Sequence, residues 1–533
     1  MPIFVGSNSD DSRIRSNRVG LAVSTANPGS ASEGDVYFNS SDSGLRAYDG
    51  SVWSAVGAGG GTISGIASGA LTDGQTVLIQ SDGTLAGVST VGVAQTFGSS
   101  ETQFEAGQTN YIATAYDSSN NKVVIAYSDY GDGQAGKAVV ATITGNTITY
   151  GTPVEYASNT EWTAIAYDEN AGKVLIAYQD GDSSDYGKAI VGTVSGNSIS
   201  FGSENTFRSD QTNNISVTYD SNAQKSLITY VSHPSASPRM RSRVATISGT
   251  SVSFGTENDW YPYGSEGLTT TFDSTNNKVL VFWIDNSLSE RGEARVATIS
   301  GTDVTFGSSR TFESSQVTQL KSVYDPDQQK AVVMYRSGSN KNVIVATVDG
   351  DTNLMSFGDK LINAVDPAIV GMTYDSSAKK TIIFGSGNNA GVVVPVSVVG
   401  TAATLNPSDK VTLTSYDTEK PSAVYDPTAE RTLMAFKVGY PVDSAVGAAI
   451  VYTPAFTKNK LTSDNFLGFS DAAYSDGATA TVQVAGAIDD AQTGLTTATR
   501  LFVQHDGSLS TAATTPSVFA GTALSGTEIK IKK

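Results

Sequence analysis

The sequence predicts an all-β chain built around a closed seven-bladed β-propeller, on three observations: a phrase repeated seven times, four strand signals in every repeat, and a strand missing from one end of the repeats that is present at the other. The phrase is anchored by an aromatic residue followed by aspartate: Tyr116-Asp117, Tyr167-Asp168, Tyr219-Asp220, Phe272-Asp273, Tyr324-Asp325, Tyr374-Asp375 and Tyr425-Asp426. Subtraction gives spacings of 51, 52, 53, 52, 50 and 51 residues between successive aspartates.

Within each unit the first strand is small and β-branched before its anchor, as in Ala113-Thr114-Ala115 or Thr269-Thr270-Thr271, which suits a crowded axis. Asp followed by Ser or Pro then makes a turn, because the carboxylate accepts from nearby backbone N–H groups and proline presets φ. A base stands five residues after every anchor, at Lys122, Lys173, Lys225, Lys278, Lys330, Lys380 and Arg431. The second strand is apolar on both faces, as in Val123 to Tyr127, and must be covered on both. Hairpin signals such as Gly145-Asn146 and Gly249-Thr250 separate the third and fourth strands, and the fourth closes on aromatic-Gly, as at Tyr150-Gly151 and Phe306-Gly307. The seventh unit stops after Ala448 to Tyr452 without a fourth strand, whereas residues 96–105 (TFGSSETQFE) precede the first unit and match the fourth-strand phrase at 305–314. Joining the two ends closes a ring, by a strand swap that an open stack would not need.

The rest of the composition narrows the function. With 34 basic and 52 acidic residues the net charge is −18, which argues against nucleic-acid partners. There is no cysteine, hence neither disulfide nor thiolate metal site. No apolar run is long enough to insert into a membrane, and MPIFVGSNSDDSRIR lacks the apolar core of a signal peptide. Phosphate loops, dinucleotide fingerprints and zinc spacings are absent, so no cofactor and no metal is expected.

The predicted organisation is an N-terminal β-hairpin module at 1–58, a linker and small β module at 59–91, the propeller at 92–456 and a C-terminal β module at 457–533. In the first module Arg13, Arg15 and Arg18 form a basic cluster, and Tyr37, Phe38, Tyr48 and Trp53 supply most of the apolar area of a strand-turn-strand-turn-strand pattern from Gly34 to Val56. So small a piece needs a partner surface to be stable. Residues 69–87 (GALTDGQTVLIQSDGTLAG) echo 494–512 (GLTTATRLFVQHDGSLSTA), so two small modules flank the propeller, or the halves pair and the propeller is an insertion. A closed ring brings its ends together, which favours the insertion.

The phrase GDVYFN followed by LRAYDGSVW at 45–53 resembles a module common near the N-termini of tailed-phage virion proteins, marine phages included. The last 75 or so residues resemble a phage tail-fibre end piece, through NFLGFS at 465–470, SDGAT at 475–479, GLT at 494–496, VQHDGSL at 503–509 and AGTALS at 520–525. The resemblance implies a structural virion protein, displayed on the particle exterior after synthesis in the host cytoplasm, often trimeric, and attached to other virion proteins through its N-terminus. Arg13, Arg15, Arg18, Tyr37, Tyr48 and Trp53 are the candidate docking residues.

Propeller parity puts the regular turns on one face and the long, variable loops on the other. On that variable face fall Tyr130, Tyr186, His233, Arg239, Arg241, Trp260, Tyr261 and Tyr263, the densest group pairing HPSASPRMRS with DWYPYGSEG. Aromatic faces beside Arg and His suit sugar rings and their anionic groups; the same aromatics also suit blade edges or oligomer contacts. Asp180, Asp182 and Asp185 have spacing for Ca²⁺ but lack a terminal bidentate Glu, and read as an acidic turn. Seven equal Asp/Lys pairs read as hairpin devices, since catalysis needs one asymmetric site. The sequence reading is a non-enzymatic tail-fibre-like protein that presents a propeller to a host-surface glycan or protein. The alternatives are a propeller glycan hydrolase or lyase, with two carboxylates about 5–10 Å apart in the central pocket, and a structural adaptor or capsid decoration.

Overall fold

The computed structural model describes residues 61–532 apart from 235–236, 363–369, 388, 440–444, 463 and 514–516, together with strands Val23–Ser24, Val36–Asn39, Gly44–Tyr48 and Trp53–Val56. The chain divides into two compact units, one of 93–456 and one of 1–92 with 457–533.

The 93–456 unit is the seven-bladed propeller. Its closure follows the expectation from the sequence: Thr96 and Phe97 pair with Thr453 and Tyr452, and Thr102 and Gln103 pair with Ala449 and Ala448. The strand Thr102–Asp117 then continues into the first blade, where Thr109 faces Asp129 and Asp117 faces Lys122. One strand is thus the outer edge of the seventh blade and the inner edge of the first.

Local chemistry explains the turns. Asp117 Oδ1 accepts from the amides of Ser119 and Asn120 at 3.0 Å each, and Asp220, Asp273, Asp375 and Asp426 cap their turns the same way. The lysine does not pair with the anchor carboxylate. Lys122 and Lys278 reach across to Thr142 and Thr298 of the third strand, at 2.7 and 3.0 Å.

Two further devices lock blade to blade. The anchor tyrosine reaches the preceding blade's turn: Tyr167 bonds Ser119, Tyr324 Thr275, Tyr374 Asp327, Tyr425 Ser377, and Tyr116 reaches Thr428 across the closure, while Asn170 donates to Tyr219. Phe272 leaves the junction of the third and fourth blades without this bond. Aromatic residues on the outer edge of five blades also meet the next blade's closing aromatic, as Phe207 meets Phe254 and Phe312 meets Phe357, both at 5.9 Å between centroids. Tyr425→Phe is expected to cost about 1 kcal/mol, the net worth of one such bond, read from the midpoint shift of urea unfolding.

The second unit contains two five-stranded sheets. In one, Thr62–Ile66, Thr479–Gln483, Phe466–Ser470, Thr76–Ile79 and Leu85–Gly87 lie side by side in that order. The other comprises Ile488–Asp489, Ile529–Ile531, Val518–Ala523, Arg500–Val503 and Leu509–Ser510. Leu78, Val88, Phe466, Phe469, Leu501, Val503 and Val518 share one buried core. Segments 62–87 and 466–483 therefore pair across the whole propeller insert. The echoing segments do not pair with each other; they build the same hairpin twice, in different sheets. Asp82 accepts from Thr84 N at 3.0 Å, as Asp506 does from Ser508 N at 2.9 Å.

Among the N-terminal residues, Val36–Asn39, Gly44–Tyr48 and Trp53–Val56 form an antiparallel sheet in which Tyr37 faces Arg46 and Tyr48 faces Trp53. The docking candidates Arg13, Arg15 and Arg18 lie outside the described residues.

Candidate functional site at the axial mouth

The eight residues singled out on the variable face separate in the structure. Trp260 belongs to the core. Only 7% exposed, it stacks on Phe306 at 4.7 Å and 17° and meets Trp283 edge-on at 5.3 Å, so it offers no ring face to a ligand. Arg239 and Arg241 are held by carboxylates: Arg241 by Glu257 at 2.9 Å and Asp259 at 3.3 Å, Arg239 by Asp259 at 3.1 Å, with Arg208 on the same Glu257 at 2.8 Å. The Tyr261 hydroxyl donates to Asp285 at 2.7 Å, and Arg295 stands 5.5 Å from its ring. His233 donates its backbone N–H to Gln211 O at 2.8 Å, and burial pushes its imidazole below the usual range, toward the neutral form. Tyr186 is half-buried in register with Gln211, and Tyr263 is 51% exposed at the edge of Tyr261. Arg241→Ala is expected to lower thermal stability, read from the melting temperature, because its guanidinium is spent on ion pairs of an outer blade edge.

Tyr130 belongs to a different place, the mouth of the ring axis. There the first strand of each blade begins. Tyr111, Trp162, Asn214, Gln319 and Lys420 occupy one repeat position, six residues before the anchor aspartates at 117, 168, 220, 325 and 426. All five have left-handed backbones, with φ of 49°, 51°, 47°, 55° and 50°. Each sits at a register shift in its strand, for example between Asn110 and Ala113 or between Glu161 and Ala164. Positive φ at a tyrosine or tryptophan costs of order 1–3 kcal/mol, and a bulge re-aims the side chain it carries. Here the bulges turn five long side chains to line a single cavity of about 340 Å³, together with Glu266 and Lys321. The fourth blade has Gly267 at this position.

The mouth has an aromatic wall and a polar rim. The rings of Tyr111 and Trp162 lie 5.4 Å apart at 45°, and the Lys420 ammonium stands 5.9 Å from the Tyr111 ring. The Glu161 carboxylate joins two phenols, accepting from Tyr111 at 3.2 Å and Tyr130 at 3.0 Å. Desolvation first, and then the Glu161 charge, push the Tyr111 hydroxyl well above its ordinary value. Desolvation and the hydrogen bond to Glu161 push Tyr130 up to about 12. Both phenol protons are therefore held in hydrogen bonds to Glu161, which leaves the phenol oxygens as acceptors. Asn214 Nδ2 donates to Ser265 O at 3.0 Å, while Gln319 Oε1 is buried with no partner among the described residues. Beneath the mouth a cavity of about 250 Å³ follows the axis, its wall rich in hydroxyls: Thr114 with Ser422 at 2.9 Å, Ser216 with Thr270 at 2.7 Å, and Thr269 with Ser322 at 3.2 Å.

Such a wall can stack an aliphatic ring face and hydrogen-bond its substituents. Among the described residues no group of three or more His, Cys, Asp or Glu side chains is placed to hold a metal. The acidic run is a capped loop, in which Asp180 Oδ1 accepts from Asp182 N at 3.0 Å and Asp180 pairs with Lys188 at 2.5 Å. No helix among the described residues is long and apolar enough to cross a membrane.

No family model and no curated protein matches the chain. Solved structures of similar shape include Sqt1 from Chaetomium thermophilum, at 13% identity over 67% of this chain and 97% of that one, TM-score 0.43. A leech intramolecular trans-sialidase matches at 11% identity over 68% and 70% of the two chains, TM-score 0.40, and the Dos1 propeller at 12% over 66% and 94%, TM-score 0.41. These likenesses concern the fold alone.

Proposed function

We propose that the protein is a non-enzymatic, tail-fibre-like virion component whose propeller recognises a host-surface glycan at its axial mouth. The observation that carries this reading is the convergence of Tyr111, Trp162, Asn214, Gln319 and Lys420 on one cavity from strained positions that the blades do not need for packing. Sugar-binding chemistry asks for an aromatic face, planar amides and a charged donor around a concave site, and Trp162, Asn214, Gln319 and Lys420 supply them there. The terminal phrases that resemble phage virion modules give the particle context, with attachment through the N-terminal module to other virion proteins and outward display of the propeller. Assembly as a trimer belongs to the same reading.

Binding of the full chain to host cells and to a glycan array, with released sugar followed in the same wells, tests it. Saturable binding without release, weakened by substitutions at Tyr111 and Trp162, is the expected result. Released oligosaccharide would make the protein a depolymerase. Neither binding nor release would leave a structural decoration.

A further inference from the structure

Lys321 breaks the repeat. Four residues before the anchor aspartates at 117, 168, 220, 273, 375 and 426 stand Ala113, Ala164, Ser216, Thr269, Gly371 and Ser422, all small, as the crowded axis requires; the fifth blade alone places a lysine there. Its side chain lines both the mouth and the deeper channel.

Among the described residues the lysine has no counter-charge. None of the described residues forms an ion pair or hydrogen bond with its ammonium, although acidic residues outnumber basic ones by 52 to 34 in this chain. Of the carboxylates at the mouth, Glu161 is joined to two phenols, and Glu266 borders only the wider cavity. The Lys321 side chain is exposed to channel water, and the protein around the channel holds its ammonium below its ordinary pKa. A small residue serves the axis at this position in the other six blades, so packing does not call for the lysine. A position that breaks its own repeat without a packing reason points to function. The surrounding wall is made of hydroxyls, which can donate to an oxyanion.

We infer, resting on the glycan reading above, that the axial cavity takes an acidic saccharide, whose oxyanion enters the channel to meet Lys321 while its ring lies against Trp162 and Tyr111. A carboxylate and a phosphate share the required chemistry.

The test titrates the full chain with glucuronic acid, glucose 6-phosphate and glucose, followed by NMR, in wild type, Lys321→Met, Lys321→Ser and Trp162→Asn. At least one acidic sugar is expected to bind wild type roughly tenfold or more tightly than glucose, and which one does so identifies the oxyanion. Lys321→Met and Lys321→Ser should erase that preference while leaving the melting temperature in buffer free of oxyanions close to that of wild type, which a packing lysine would not show. Equal binding of acidic and neutral sugars, a preference that survives both lysine substitutions, or no binding of any acidic sugar would overturn the inference. Failure of the glycan reading looks different: Trp162→Asn would leave attachment to host cells unchanged, whatever Lys321 prefers.

Discussion

Phe104→Ala is expected to unfasten the ring. Phe104 is the outer aromatic of the seventh blade, yet it enters from the start of the chain's propeller segment, and no covalent link holds it to that blade's third strand. It lies 6% exposed against Tyr127 at 5.1 Å, and a Cβ on Gly447 of the partner strand would approach its ring to 2.5 Å. Loss of a buried phenylalanine costs about 3–5 kcal/mol. Here the loss falls on the one blade whose strands come from both ends of the repeat array. Phe207→Ala, at the equivalent place between blades that are continuous in sequence, is the control. Urea unfolding should show both losses, but amide exchange in Val446–Thr453 should rise only for Phe104→Ala. A cost under about 1 kcal/mol, with exchange unchanged, would contradict closure by this strand.

Trp162→Asn is expected to abolish most receptor binding without loss of fold. Asparagine tolerates the left-handed backbone better than tryptophan, so the bulge persists and some strain is relieved. The stacking face is removed. Central aromatic residues of a binding site are worth about 2 kcal/mol or more, roughly thirtyfold in Kd. Binding of the variant to host cells, measured beside its melting temperature, separates the two effects. Unchanged affinity in a folded variant would remove the axial mouth as the receptor site.

The contrast between Trp162 and Trp260 shows which part of the site was legible. Both are aromatic residues on the variable side of their blades, and Trp260 stood out because Tyr261 and Tyr263 follow it and the preceding loop of the same face carries His233, Arg239 and Arg241. Aligned by the repeat, Trp260 falls with Phe104, Tyr156, Phe207 and Phe312, each packed against the next blade's closing aromatic. A position that is aromatic in five successive blades is a packing position. Trp162 falls instead where other blades have Tyr111, Asn214, Gln319 and Lys420. Unlike residues at one position of a regular repeat signal that packing does not constrain it. Lys321 gave the same signal among small neighbours. Local clustering in the chain was the misleading cue, since it brings together residues of an outer edge as readily as those of a cleft.

By itself the sequence determined the anchors, the turns, the apolar second strands and the ring with its swapped strand, because these depend on short-range periodicity and on one strand's presence at the wrong end. It also contained both halves of the sheet outside the propeller, as segments at 62–87 and 466–483. Only the tertiary structure decided where the functional side chains meet. The bulges that turn Tyr111, Trp162, Asn214, Gln319 and Lys420 into one cavity arise where seven strands crowd around a common axis, and residues about fifty apart in the chain become neighbours there. The same crowding brings Lys321 to both the mouth and the channel beneath it, which no local pattern of residues reveals.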